Sequence, residues 1–134
     1  MRPACIDDHG RLVELWTETG ISVPPGDSRD ELRRKLERDP ELFLVLDDGD
    51  RLIGSVMGSF DGRRGWIGRL CVSSDHRGRG LAQQLIVAVE ERLRAIGCPK
   101  VNLLVEPTNS SAVGFYEHVG YASDELIFME KWLT

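Results

Sequence analysis

Cysteine is scarce in this chain. Its 134 residues hold three, Cys5, Cys71 and Cys98, at wide spacing and in odd number. No CxxC pair and no Cys/His ladder occurs, so neither a zinc framework nor a disulfide scaffold is indicated, no metal is expected, and the thiols read as reduced ones of a cytoplasmic protein. Long hydrophobic runs are missing too: none approaches the ~20 residues that span a bilayer. The first eight residues lack the apolar stretch of a secretory signal, so no membrane association is expected. No internal repeat is visible. Basic charge is in deficit, with 17 Lys+Arg against 22 Asp+Glu and a net charge of −5. That disfavours a surface built to grip DNA or RNA. With 41% hydrophobic and 29% charged residues, the chain reads as one globular domain, residues 1–134, large enough for its own core.

What charge there is falls unevenly. Residues 1–60 carry 8 basic and 13 acidic side chains, whereas residues 61–134 carry 9 of each. Within 61–82 five arginines (Arg63, Arg64, Arg69, Arg77, Arg79) face two aspartates, Asp61 and Asp75. A basic, glycine-rich stretch inside an acidic chain suits a small-anion site, or is a chance distribution of surface charge.

Periodicity supplies the elements. The first few residues allow a short strand. Asp7 or Asp8 is placed to cap a helix with Leu12, Leu15 and Trp16 on one face. Pro24-Pro25-Gly26 marks a loop. Ser28 and Glu31 have capping-box spacing for a helix that stops before Pro40. Phe43–Leu46, Leu52–Phe60 and Trp66–Val72 read as three strands joined by tight turns at Asp48-Gly49-Asp50 and Asp61-Gly62-Arg63-Arg64-Gly65, an antiparallel meander. Leu81, Leu85, Val89 and Leu93 then recur four apart in a helix that Gly97 ends. A strand is expected over Val101–Val105, a short helix around Val113, Phe115 and Tyr116, and a last strand over Glu125–Leu133. The fold class is therefore mixed α/β, a meander followed by β-α-β-α-β with helices on a sheet.

The most informative segment is Val72-Ser73-Ser74-Asp75-His76-Arg77-Gly78-Arg79-Gly80-Leu81-Ala82. A strand feeds a glycine-rich turn, and the turn feeds a helix. Backbone N–H groups at such a helix start point at one spot, the helix dipole favours negative charge there, and glycine lets an anion approach the main chain. The segment reads as a phosphate or pyrophosphate site, or as a glycine turn that merely caps a helix. No G-x-x-x-x-G-K-[ST] is present. The dinucleotide fingerprint fits poorly, because Gln83 stands where its third glycine would be and five residues separate Val72 from Gly78.

Arg77-x-x-Gly80-x-Ala82 resembles the Q/R-x-x-G-x-G/A signature of the GCN5-related N-acetyltransferases. Leu70-Cys71-Val72 stands where that family has its Leu-x-Val strand end. Asn109 followed by Phe115-Tyr116-Glu117-His118-Val119-Gly120-Tyr121 resembles its second signature, and the order of elements agrees over nearly the whole chain. Asp61–Trp66 and Gly97–Lys100 are similar to a bacterial subgroup near the ribosomal-protein alanine acetyltransferases, called YpeA-like.

The resemblance implies an acetyl-CoA-dependent N-acetyltransferase with a splayed pair of cofactor-binding strands. It implies that the backbone of Arg77, Gly78, Arg79, Gly80, Leu81 and Ala82 holds the CoA pyrophosphate. It also implies that the main chain of Leu70, Cys71 and Val72 pairs with the pantetheine arm and polarises the thioester, that Asn109 contacts CoA, and that Tyr116 protonates the leaving thiolate. The implied acceptor is a primary amine, on a small molecule or a peptide or protein N-terminus, which attacks the thioester directly. The ribosomal-protein branch has a Glu five positions before the Asn, where this chain has Leu104. Glu106, two residues on and on the same face of a continuing strand, is the expected base. Cys71 lacks an identifiable partner acid or base and reads as a packed strand thiol; His76 and His118 read as surface residues. A monomer or homodimer is expected, and a CoA-binding module without catalysis is the alternative.

Overall fold

In a computed structural model, residues 1–23 and 28–134 are described; the expected loop at Pro24-Pro25-Gly26 lies outside them. The chain forms two compact units, Met1–Leu104 and Val105–Thr134.

The first unit is a five-stranded sheet, β1 (Arg2–Pro3), β2 (Phe43–Asp47), β3 (Leu52–Phe60), β4 (Gly65–Val72) and β5 (Val101–Leu103), with strands in chain order. β1 to β4 pair antiparallel, and β5 joins β4 in parallel. Tight turns force this meander. Gly49 and Gly62 adopt φ of 100° and 95°, and Asp48 and Asp61 each accept two backbone N–H bonds across their turns. The helices are α1 (His9–Thr19), α2 (Arg29–Arg38) and α3 (Leu81–Ala95). Ser28 caps α2 by accepting from the Glu31 amide at 3.3 Å, as the capping-box spacing predicts.

Both faces of the sheet are covered, which explains why Phe43–Leu46 is apolar without alternation. Leu12, Leu15 and Trp16 of α1 and Leu32 of α2 cluster with Phe43, Val45, Leu52 and Cys71. Leu85, Ile86, Val89 and Leu93 of α3 are buried on the other face. Gly54 and Gly58 let α3 lie close to β3. A Cβ on Gly58 would stand 2.7 Å from Val89 Cγ2, and one on Gly54 3.2 Å from Leu85 Cδ1.

One irregularity matters for the site. Ser55 pairs with Cys71, yet Met57 pairs with Gly68. Arg69 and Leu70 together oppose the single residue Val56, a β-bulge. Ile67 pairs with Gly58 on the α3 face, whereas Cys71, four residues on, packs in the α1 cluster. A straight strand would put both on one face. Arg69 takes φ of 54°, the one described non-glycine residue with positive φ.

The second unit contains α4 (Ser110–His118), ended by Gly120 at φ 103°. Two expectations are corrected here. The strand at Val101–Val105 stops at Leu103, because the ladder to β4 ends at the Ile67–Leu103 pair. The last strand at Glu125–Leu133 is not formed: residues 121–134 carry no regular structure, and Leu126, Ile127, Met129 and Leu133 are between 82% and 90% exposed. Four consecutive apolar residues, Leu126 to Met129, suit only a strand covered on both faces. No described strand pairs with this segment.

Candidate active site

The loop from Ser73 to Gly80 is built from both ends. Ser73 is fully buried; its amide donates to the Ile53 carbonyl at 2.8 Å, and its hydroxyl meets His76 Nδ1 at 2.8 Å. His76 is thereby half-buried rather than a free surface residue. Glu18, near the end of α1, accepts from both the amide and the hydroxyl of Ser74 at 3.0 and 2.9 Å. Those two bonds hold its carboxyl below the ordinary range. Arg51 pairs with Asp75 at 2.8 Å, and Arg77 Nε donates to the Val72 carbonyl at 3.3 Å. The last contact ties the loop to the end of β4.

The loop then opens directly onto a 15-residue helix. Gly78 and Gly80 have φ of 80° and 73°, and nothing lies within 4 Å of where a side chain would start on either. Gly80 is the N-cap of α3, and no side chain caps the first turn. The amides of that turn, at the positive end of the helix dipole, are therefore left without a side-chain cap. An open groove of about 400 Å³ runs along α3 from Gly80 past Gln83, Gln84 and Val87 to Glu91. Arg77 and Arg79 are exposed beside it.

Leu70, Cys71 and Val72 end β4 just before the loop. The Cys71 thiol is buried, which pushes its pKa up. A thiol held protonated is a poor nucleophile.

The remaining expected residues share the second unit. Asn109 caps α4: its Oδ1 accepts from the Ala112 amide at 3.2 Å and the Ser111 hydroxyl at 3.1 Å, and its own amide donates to the Glu106 carbonyl at 2.9 Å. Tyr116 is half-buried, edge-on to Phe115 at 5.3 Å and to Tyr121 at 5.8 Å. Burial raises its phenol above the ordinary value, so it stays protonated at neutral pH. Glu106 is exposed and lies beyond the end of β5, so strand alternation does not set its direction relative to Leu104.

The sequence assigns no role to Ser55 or Glu18, and places Trp16 only on a helix face and Arg69 only among the arginines of the basic stretch. The bulge leaves one trace in the sequence, a broken alternation between Ile67 and Cys71, and Glu18 leaves none.

The chain belongs to the acetyltransferase (GNAT) family, whose profile matches residues 10–121. It is an acyltransferase that works with acetyl-CoA. An acetyltransferase of Yersinia pestis (strain Pestoides F) is 41% identical over 127 residues, 95% of this chain and 90% of that protein. One from Pectobacterium atrosepticum is 40% identical over 95% of this chain and 90% of its own length. Among solved structures, the PaiA N-acetyltransferase of Thermoplasma acidophilum in complex with coenzyme A aligns with a TM-score of 0.84 at 20% identity, covering 94% of this chain and 91% of that one. Ard1 from Thermoplasma volcanium aligns at 0.79, with 20% identity over 90% of this chain and 80% of its own. These structural likenesses carry the fold. Among the described residues no helix is long and apolar enough to cross a membrane, and no three His, Cys, Asp or Glu are grouped to hold a metal.

Proposed function

We propose that the chain transfers the acetyl group of acetyl-CoA to a primary amine, on a small molecule or a peptide N-terminus, by direct attack. The observation that carries this reading is the open glycine cradle between β4 and α3. In it, the amides of residues 77–82 hold the pyrophosphate, with Arg77 and Arg79 adding charge at its edge. The main chain of Leu70 to Val72 pairs with the pantetheine arm, and a backbone N–H there donates to the thioester oxygen as negative charge builds on it. The side-chain amide nitrogen of Asn109, whose Oδ1 is occupied in capping, is the group left to contact CoA.

The amine nitrogen bonds to the acetyl carbon, the carbon–sulfur bond breaks, and the sulfur takes its proton from Tyr116. The amine's own proton passes to water or to Glu106. Glu106→Gln is expected to lower kcat, with the KM for acetyl-CoA unchanged. An unaltered kcat would remove Glu106 from the mechanism.

Thermal melting with acetyl-CoA, followed by thiol release over a panel of amines and peptides, tests the whole reading. Acetyl-CoA is expected to raise the Tm, and at least one amine to release CoA above background. Protection without turnover on any acceptor would leave a CoA-binding module. Stronger protection by NAD or ATP than by CoA would overturn the reading.

A further inference from the structure

We infer that Ser55 and Trp16 form a hydrogen-bond relay that sets the direction of the Leu70 amide, which makes Ser55 a positioning residue for acetyl transfer. The inference rests on the reading above, in which main-chain donors at the end of β4 act on the thioester.

The argument starts from the bulge. The Ser55 hydroxyl donates to the Arg69 carbonyl at 2.7 Å and accepts from Trp16 Nε1–H at 3.1 Å. Its third neighbour is Cys71 Sγ at 3.4 Å. A serine hydroxyl has one proton and two acceptor sites. The carbonyl cannot donate, so the proton goes to Arg69, and the two acceptor sites are met by the Trp16 N–H and the Cys71 thiol. Every hydrogen-bonding position of this buried hydroxyl is filled, and its orientation is thereby fixed.

That orientation passes through one peptide plane. The Arg69 carbonyl and the Leu70 N–H belong to the same trans peptide, and no cis peptide occurs among the described residues. In a trans peptide the C=O and N–H point in opposite directions. Because the carbonyl aims at Ser55 on β3, the Leu70 N–H aims away from β3. The ladder from β4 to β5 has already ended at Ile67, so this N–H points to the side of β4 where, beyond that pair, no described strand is bonded to it. An amide released from the ladder at that place is what a developing oxyanion requires.

The conformation it enforces is otherwise unfavourable, since positive φ at a residue with a side chain is strained. Contacts among the described residues that hold it include the Ser55 bond at the Arg69 carbonyl, the Arg69 guanidinium 4.9 Å from the centre of the Trp16 ring, and Arg69 Nη1 donating to the Ser22 carbonyl at 2.7 Å. Trp16 serves twice, as N–H donor to Ser55 and as the ring under Arg69. It is itself fixed by burial and by stacking on Phe43 at 6.2 Å.

A purely structural serine and a positioning serine differ in what they do to the bound thioester. The test is isotope-edited infrared spectroscopy of the intact protein with acetyl-CoA labelled at its thioester carbonyl. In the wild type the carbonyl band of the bound molecule is expected below that of free acetyl-CoA. Ser55→Ala is expected to return it at least halfway to the free position and to lower kcat about tenfold, short of the roughly hundredfold or larger loss seen when such a donor is removed outright. The Kd for CoA is expected to stay unchanged. Ser55→Thr keeps the hydroxyl and is expected to keep the shifted band. Trp16→Phe keeps a ring under Arg69 but loses the N–H, and is expected to give a partial return. A folded Ser55→Ala with the wild-type band would overturn the relay while leaving acetyl transfer intact. Should Ser55→Ala not fold, a wild-type band in Trp16→Phe would do the same. If the wild type does not bind acetyl-CoA, the acetyltransferase reading itself falls, and the relay with it.

Discussion

Replacing Tyr116 with Phe is expected to lower kcat by about 10²-fold, with little change in Tm or in the affinity for CoA. The substitution keeps the ring and its edge-on contacts with Phe115 and Tyr121 and deletes only the hydroxyl. The size follows from the leaving group. A thiol with an ordinary pKa of about 8.5 departs as a tolerable anion, so an acid contributes near the lower end of the usual range for proton transfer. The direction of the Tyr116 shift gives a second readout. Burial disfavours the phenolate and raises the pKa above its ordinary value of about 10. Wild-type kcat should therefore hold through neutral pH and fall only when Tyr116 ionises in the alkaline range. The Phe variant should be slow at every pH and lack that alkaline limb. A variant with wild-type kcat, or one that keeps the limb, removes Tyr116 as the acid.

How far the sequence reveals this molecule depends on whether a feature is local. Turns and caps are local. Gly49, Gly62 and Gly97 all take positive φ where they are expected to end or reverse an element, and Ser28 caps α2 through one local bond. The cradle at residues 72–82 is local as well, being a strand end, two glycines and a helix start in a single run. Pairing is not local. The end of β5 at Leu103 depends on where β4 stops offering partners, and Glu125–Leu133 fails to become a strand for want of a described partner. The bulge is the hardest case, because it is a two-against-one count between strands that no single stretch of sequence displays. Ser55 lies 14 residues from the carbonyl it holds, and Trp16 lies 39 residues from Ser55.

The same distinction governs the acidic first half. Its excess of carboxylates suggests a surface that attracts a cationic acceptor, but several of those charges are committed to the fold. Asp39 pairs with Lys35 at 2.7 Å, Glu41 with Arg92 at 2.6 Å, and Asp47 with Arg2 and Arg11 at 2.9 and 3.2 Å.

Asp8→Asn is expected to destabilise the protein by about 3–5 kcal/mol, the cost of breaking a buried ion pair from one side. That is a large part of the roughly 5–15 kcal/mol by which domains are stable. The Asp8 side chain is only 2% exposed, yet both its oxygens are fully used. Arg2 grips it with two parallel bonds of 2.8 Å, Arg11 adds one of 2.8 Å, and the Cys5 amide adds another of 2.8 Å. Asparagine offers one acceptor oxygen and turns two N–H donors toward guanidinium groups. Arg2 and Arg11 also bridge to Asp47 on β2, so the loss loosens the attachment of residues 2–11 to the sheet. Burial alone would raise the Asp8 pKa, but the hydrogen bonds from Arg2, Cys5 and Arg11 outweigh it and hold the carboxyl far below the ordinary range. Asp47 is held at about 2, chiefly by Arg2. Both groups therefore bind protons more readily in the unfolded chain, where a carboxyl titrates near a pKa of about 3.9. Their contribution is complete above that pKa and drains away as the pH falls through the folded-state values. The wild type should lose stability steeply in acid, the Asn variant less so, and the gap between their denaturant midpoints should narrow from pH 7 to about pH 3. A gap that stays constant over that interval would show that Asp8 stabilises the fold by its shape and not by its charge.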